Sequence, residues 1–158
     1  MKFSFPSNKQ KNVQQRQQQD KVILFVCVEN AGRSQMAEGF FNQKYAPKGY
    51  RAISAGTRPV SQINPLAVQA MNEVGVDISN QKSKIITEDM IRSSAKSVNM
   101  DCIEKAECPM LFMNNVIDWV VERIWSRSWW KNPDRELDRI KQKIEELRKL
   151  PVEQINRE

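Results

Sequence analysis

Histidine does not occur anywhere in the 158-residue chain. Its absence excludes a Ser-His-Asp triad, a Cys-His dyad and any imidazole-ligated metal within the chain. A cysteine nucleophile would have to be ionised by other means. Cysteine itself is scarce: three residues, Cys27, Cys102 and Cys108, are too few for a disulfide-stapled scaffold and suit a reducing compartment. An odd count there points to thiol chemistry or plain burial. No apolar run approaches the ~20 residues that cross a bilayer. The opening MKFSFPSNKQKNVQQRQQQ lacks the apolar core of a secretion signal, so a cytoplasmic protein without membrane contact is expected. No internal repeat is visible.

What is present fits one ordinary domain, with 40% hydrophobic and 28% charged residues. Residues 1–19 are Gln- and Lys-rich without apolar periodicity and read as a disordered leader, and 20–158 as a single domain. Lys2, Lys9, Lys11 and Arg16 against Asp20 put half of the net charge of +6 in residues 1–20. That is either a solvated tail or a weak arm for nucleic acid or an acidic partner; no nucleic-acid binding is expected of the domain.

Lys21 to Val28 is a continuous β-branched and aromatic run, the pattern of a strand buried on both faces. Ala37, Phe40, Phe41 and Tyr45 follow at helical spacing. Tyr50 to Ala55 reads as a second strand closed by Gly56. Asn64-Pro65 is a cap followed by proline at the first helical position, with Ala67, Ala70, Met71 and Val74 on one face and Gly75 as the stop. Thr87 caps a short helix through Ile91. Ser97–Cys102 and Val116–Val121 are further strand candidates. Asn132-Pro133 repeats the cap signal ahead of Leu137, Ile140, Ile144 and Leu147, ending before Pro151. The alternation predicts an α/β fold, a parallel sheet with helices on both faces. Ligands of such sheets bind beyond the carboxyl ends of the strands, where Cys27 lies.

Between strand and helix stands CVENAGR, a Cys-x5-Arg loop. Backbone N–H groups curling there can cradle an anion, and the following helix adds its N-terminal partial charge. Arg33 supplies a planar fork for two oxygens of a tetrahedral oxyanion. The same field favours a thiolate, which replaces the missing histidine: the Cys27 pKa is expected well below the free value of about 8.5. Gly32 eases the curve, and Asn30 and Ser34 brace the loop by side-chain hydrogen bonds. A core cysteine with an incidental arginine would give the same spacing, but not the strand before it and the helix after it.

The segment CVENAGRSQMAEGFF, with SAGT at 54–57, NPLAVQAMNEVGVDIS at 64–79 and NVIDW at 115–119, resembles the low-molecular-weight protein tyrosine phosphatases, most of all the thioredoxin-coupled arsenate reductases sharing that fold. The resemblance covers roughly residues 21–150. It implies a three-layer αβα domain with a four-stranded parallel sheet, Cys27 as nucleophile, Arg33 as oxyanion clamp, and Asn30, Ala31, Gly32 and Ser34 as the rest of the anion loop. Glu29 replaces a glycine common in the family, so its carboxylate should face away from the anion.

Two chemistries remain open. A phosphatase of this kind protonates its leaving group with an aspartate of a late Asp-Pro pair, which is missing here; Asp134 and Asp118 are the possible general acids. A reductase needs further thiols instead. By resemblance, Cys27 forms an adduct with arsenate, Cys102 attacks Cys27 and releases arsenite, and Cys108 takes over the disulfide for reduction by thioredoxin or a similar thiol donor. Such transfers need Cα atoms within about 7 Å, so the segment between Cys102 and Cys108 has to move or partly unfold, and Pro109 helps to end the local structure there. A third reading is a non-catalytic oxyanion-binding or redox-sensing module. Some family members bind potassium beside the loop; by motif position its ligands here would be Asn30, Glu38, Ser54 and Asp77. No other cofactor is expected. Trp119, Trp125, Trp129 and Trp130 stand where the chain departs most from the family, as rim, partner surface or core.

Overall fold

The computed structural model describes residues 21–100, 103–113, 116–119, 131–135, 137, 138, 140 and 141. The leader, Cys102 and the tryptophans at 125, 129 and 130 lie outside them.

The first apolar run forms strand β1 (Lys21–Cys27), which is followed by helix α1 (Arg33–Tyr45) and strand β2 (Tyr50–Gly56). Helix α2 (Pro65–Glu73), helix α3 (Glu88–Ser93), strand β3 (Lys96–Asn99), helix α4 (Pro109–Met113) and strand β4 (Val116–Asp118) complete the order, with helical residues again at 133–135, 137, 138, 140 and 141. The four strands make one sheet in the order β2-β1-β3-β4, and every ladder is parallel. The chain turns one way from β1 to β2 and the other way to β3. The carboxyl end of β1 is therefore the switch point at which such sheets bind ligands.

β1 is central, and its side chains alternate between two cores. Ile23, Phe25 and Cys27 face α1, α2, Leu137 and Ile140. Leu24 and Val26 face Ile91 and Leu111 of α3 and α4. Burying each of these large apolar chains contributes about 1.5–3 kcal/mol, which explains why the run is apolar without interruption. The expected three-layer architecture follows from that alternation.

The anticipated caps form. The Asn64 side chain accepts from Leu66 N at 2.9 Å, and Thr87 accepts from Met90 N at 3.2 Å. Gly75 ends α2 in the left-handed region at φ +83°. Three local expectations need correction. β3 stops at Asn99 rather than at 102, because the Asn99 side chain turns on the chain beyond it: Oδ1 accepts from Ile103 N at 3.2 Å and Nδ2 donates to Ile103 O at 3.3 Å. β4 ends at Asp118, and residues 120 and 121 of the longer candidate lie outside the described residues. Pro109, read as ending local structure, opens α4 instead, since a fixed φ and a missing N–H suit the first helical position. Trp119 packs against the larger core.

Candidate active site

Cys27 is the last residue of β1 and is 3% exposed. Its Sγ lies 2.8 Å from Ser34 Oγ and accepts from the Asn30 N–H at 3.1 Å. Asn30 Nδ2 donates to the same Ser34 oxygen at 2.8 Å. That occupies an acceptor position on Ser34, whose own proton can then point at sulfur.

The loop between Cys27 and Arg33 is held from outside by its carbonyls. Cys27 O accepts from Thr57 N, Val28 O from Arg58 N, Glu29 O from Val60 N, Ala31 O from Asn64 N and Gly32 O from Met36 N. Asn30 O accepts from Gln35 Nε2 at 3.0 Å. No described peptide is cis, so each N–H lies on the side opposite the preceding carbonyl. The amides of residues 29–33 therefore turn inward together, and that of Asn30 reaches the sulfur. This is an anion nest, and α1 begins at its edge with Arg33. Ala31 and Gly32 are buried and Arg33 is half-buried.

Asn30 takes the left-handed conformation, φ +49°, which asparagine tolerates better than most residues. Gly56 sits opposite Cys27 in the β1–β2 register, and a Cβ there would come within 2.5 Å of Val28 O and 3.0 Å of Asn30 Cβ. Only glycine lets the second strand approach the loop this closely.

The family model described as "Low molecular weight phosphotyrosine protein phosphatase" matches residues 22–129. The chain belongs to this family. An arsenate reductase of Bacillus subtilis (strain 168) is 44% identical over 93 residues, 58% of this chain and 65% of that protein; the match thus spans just under two thirds of the relative. Arsenate reductase 1 of Staphylococcus epidermidis is 36% identical over 132 residues, 80% of this chain and 95% of that protein. A solved thioredoxin-dependent arsenate reductase of Corynebacterium glutamicum superposes with a TM-score of 0.61 at 34% identity, covering 82% of this chain and 60% of that one.

The other candidates of the family pattern divide. Asp118, at the end of β4, is exposed and its Oδ1 accepts from Asn99 Nδ2 at 3.2 Å, so it helps tie β4 to β3. Asp134 is exposed in the first turn after Asn132, whose side chain accepts from Arg135 N at 3.4 Å as a helix cap. An acid at that place is favoured by the helix dipole alone. Cys108 is half-buried just before α4 and packs on the smaller core, after an exposed run at 104–107. Met100 N donates to Val26 O at 2.8 Å, so the chain leaves β3 beside the end of β1, before Cys102.

The four candidate potassium ligands are engaged with protein partners. The Ser54 hydroxyl donates to Glu38 at 2.5 Å. Asn30 Oδ1 already accepts from Gln35 Nε2 and from Lys84 N, both at 2.9 Å. Asp77 is exposed and accepts from Ser79 N at 2.9 Å. Lys84 and Arg51 bring positive charge to Glu38. Among the described residues no group of three or more His, Cys, Asp or Glu could hold a metal.

Burial raises the pKa of Glu38 from its ordinary 4.5, against the opposing pull of the Ser54 hydroxyl, Lys84 and Arg51. A raised folded pKa contributes stability that is present below the unfolded value and lost as pH rises through the folded one. Glu38→Gln, neutral throughout, is therefore expected to gain in melting temperature relative to the parent between pH 4.5 and neutrality. Scanning calorimetry at both ends checks this; a difference that stays flat with pH removes the assignment.

Sequence reasoning missed Gln35 and Gln81. Gln35 is fully buried and touches the Asn30 backbone and side chain, while Gln81 reaches it from 46 residues away. The apolar pattern gave no signal for Gln35, which lies two, five and six positions before Ala37, Phe40 and Phe41, on a different face of the helix.

Proposed function

We propose that this protein is a cytoplasmic arsenate reductase in which Cys27 is the nucleophile and Cys102 and Cys108 form a disulfide relay. The supporting observation is the sulfur itself, at a strand end, held by the Asn30 amide and the Ser34 hydroxyl inside a ring of inward-turned N–H groups. Hydrogen bonds to the charged form favour it, so thiolate is maintained without imidazole. The nest and Arg33 receive a tetrahedral oxyanion such as arsenate or phosphate.

The thiolate attacks arsenic, and one arsenate oxygen leaves as water after protonation. Cys102 thiolate then attacks Cys27 Sγ. The S–As bonding pair passes to arsenic, which leaves as arsenite, and a Cys27–Cys102 disulfide remains. Cys108 thiolate attacks Cys102 and displaces the Cys27 thiolate. The resulting Cys102–Cys108 disulfide is reduced by thioredoxin or a similar dithiol. Cys108 packs on the edge of the smaller core, and the exposed 104–107 run next to it suits the movement such transfers need.

The phosphatase alternative needs an acid aimed at the leaving group. Asp118 is engaged with Asn99, and Asp134 occupies a helix first turn, so neither geometry favours it. The names of the relatives weigh the same way.

The test is to react the reduced protein with arsenate, alkylate remaining thiols and map disulfides by mass spectrometry. A Cys102–Cys108 bond is expected in the parent, Cys27–Cys102 in Cys108→Ser, and neither in Cys102→Ser. Steady hydrolysis of a phosphomonoester, indifferent to both substitutions and with no disulfide formed, would establish the phosphatase instead.

A further inference from the structure

Gln35 is completely buried one position after Ser34, and every polar atom of its side chain is engaged. Nε2 has three acceptors: Asn30 O at 3.0 Å, Asn30 Oδ1 at 2.9 Å and Lys82 O at 2.9 Å. With two hydrogens for three oxygens, one N–H is shared. Oε1 accepts from Gln81 Nε2 at 2.9 Å, and Gln81 Nε2 also lies 2.9 Å from Gln35 O. One helical side chain thus joins the nucleophile loop to the strap 81–84, which makes two further contacts with it: Lys84 N on Asn30 Oδ1 and Ser83 Oγ on Glu29 O.

The contacts converge on Asn30. Its backbone is left-handed, a conformation that is unfavourable for a residue with a Cβ unless its surroundings hold it. That conformation is what turns the Asn30 N–H toward Cys27 Sγ, while Nδ2 holds Ser34, the second partner of the sulfur. Gln35 grips both Asn30 oxygens on the face away from the sulfur. An ionised glutamate could not replace it, since its carboxylate would face three oxygens in a dry site.

We propose that Gln35 is a positioning residue for the Cys27 nucleophile, pinning Asn30 in the conformation that aims its amide at the sulfur, and that the 81–84 strap acts on the thiol through it. The role deepens the reading of Cys27 as a nucleophile, but it needs neither arsenate reduction nor the relay.

The test uses Gln35→Met, which keeps the volume and removes the hydrogen bonds, and Gln81→Ala, which removes only the outer partner of Gln35. Alkylation of Cys27 by iodoacetamide is followed by peptide mass spectrometry across pH, in the full chain. The expected result is an upward shift of the alkylation midpoint by roughly one pH unit in Gln35→Met, about a tenfold loss of thiolate below the midpoint. A smaller shift in the same direction is expected in Gln81→Ala. An unchanged midpoint in folded Gln35→Met, with only a lower melting temperature, overturns the proposal. If Gln35→Met does not fold, an unchanged midpoint in Gln81→Ala overturns it equally. Because the alkylation assay uses no substrate, a shifted midpoint in a protein that fails to reduce arsenate leaves this inference standing and removes the proposed function alone.

Discussion

Cys27→Ser is expected to lower arsenate reduction by ~10⁵-fold or more, to the background of the uncatalysed reaction, while arsenate still binds within about threefold of the parent affinity. A hydroxyl in the same place is neither ionised at neutral pH nor able to form a disulfide, so both the adduct and the transfer to Cys102 disappear. The receptor for the anion is a different set of atoms. It consists of the amides of 29–33, whose direction is set by carbonyl bonds to Arg58, Val60, Asn64, Gln35 and Met36, together with Arg33. None of those bonds involves the sulfur. Rapid-quench kinetics and calorimetric titration with arsenate measure the two quantities separately. If binding fell with catalysis, the loop would not be a preformed cradle.

Gly56→Ala carries the second large effect, and it acts on the backbone. The new methyl would meet Val28 O at 2.5 Å, Asn30 Cβ at 3.0 Å and Asn30 N at 3.1 Å, so the clash falls on main-chain atoms of the loop. Relief requires the strand pair or the loop to separate. Overpacking of this kind costs about 3 kcal/mol, which in a chain of this size lowers the melting temperature by about 10 °C. The atoms displaced include the Asn30 amide that holds the sulfur at 3.1 Å, so turnover should fall by ~100-fold even at temperatures where the variant is folded. Gly39→Ala is the comparison. Its methyl would lie 2.6 Å from Ile78 Cγ2, a side-chain atom rather than main chain of the loop, so it should cost stability but leave the reactivity of Cys27 near that of the parent. Equal losses of activity in the two variants would mean that Gly56 serves packing alone.

Much of the site could be read along the chain because its central part is contiguous. A strand buried on both faces must be apolar throughout, and this marked β1 and its end at Cys27. The cysteine, the bracing Asn30 and Ser34, and Arg33 at the start of α1 lie within eight consecutive positions, so local pattern was enough to group them. The caps at Asn64 and Thr87 were equally legible, since each bonds to the backbone two or three residues ahead.

Other features depend on where distant segments come to rest. Proline ends one element as readily as it begins another, and at Pro109 only the surrounding packing chose the helix. Asp77 accepts from its near neighbour Ser79 N, while Lys84 sits by Glu38 and holds Asn30 from 54 residues away. Local order thus determined the αβ alternation, the strand-end sulfur and the anion loop, because those require only neighbours in sequence. The tertiary structure alone decided that Gly56 must lack a side chain and that Gln81, through Gln35, and Lys84 brace the nucleophile's loop, because those contacts join segments 26 to 54 residues apart whose meeting no local propensity encodes.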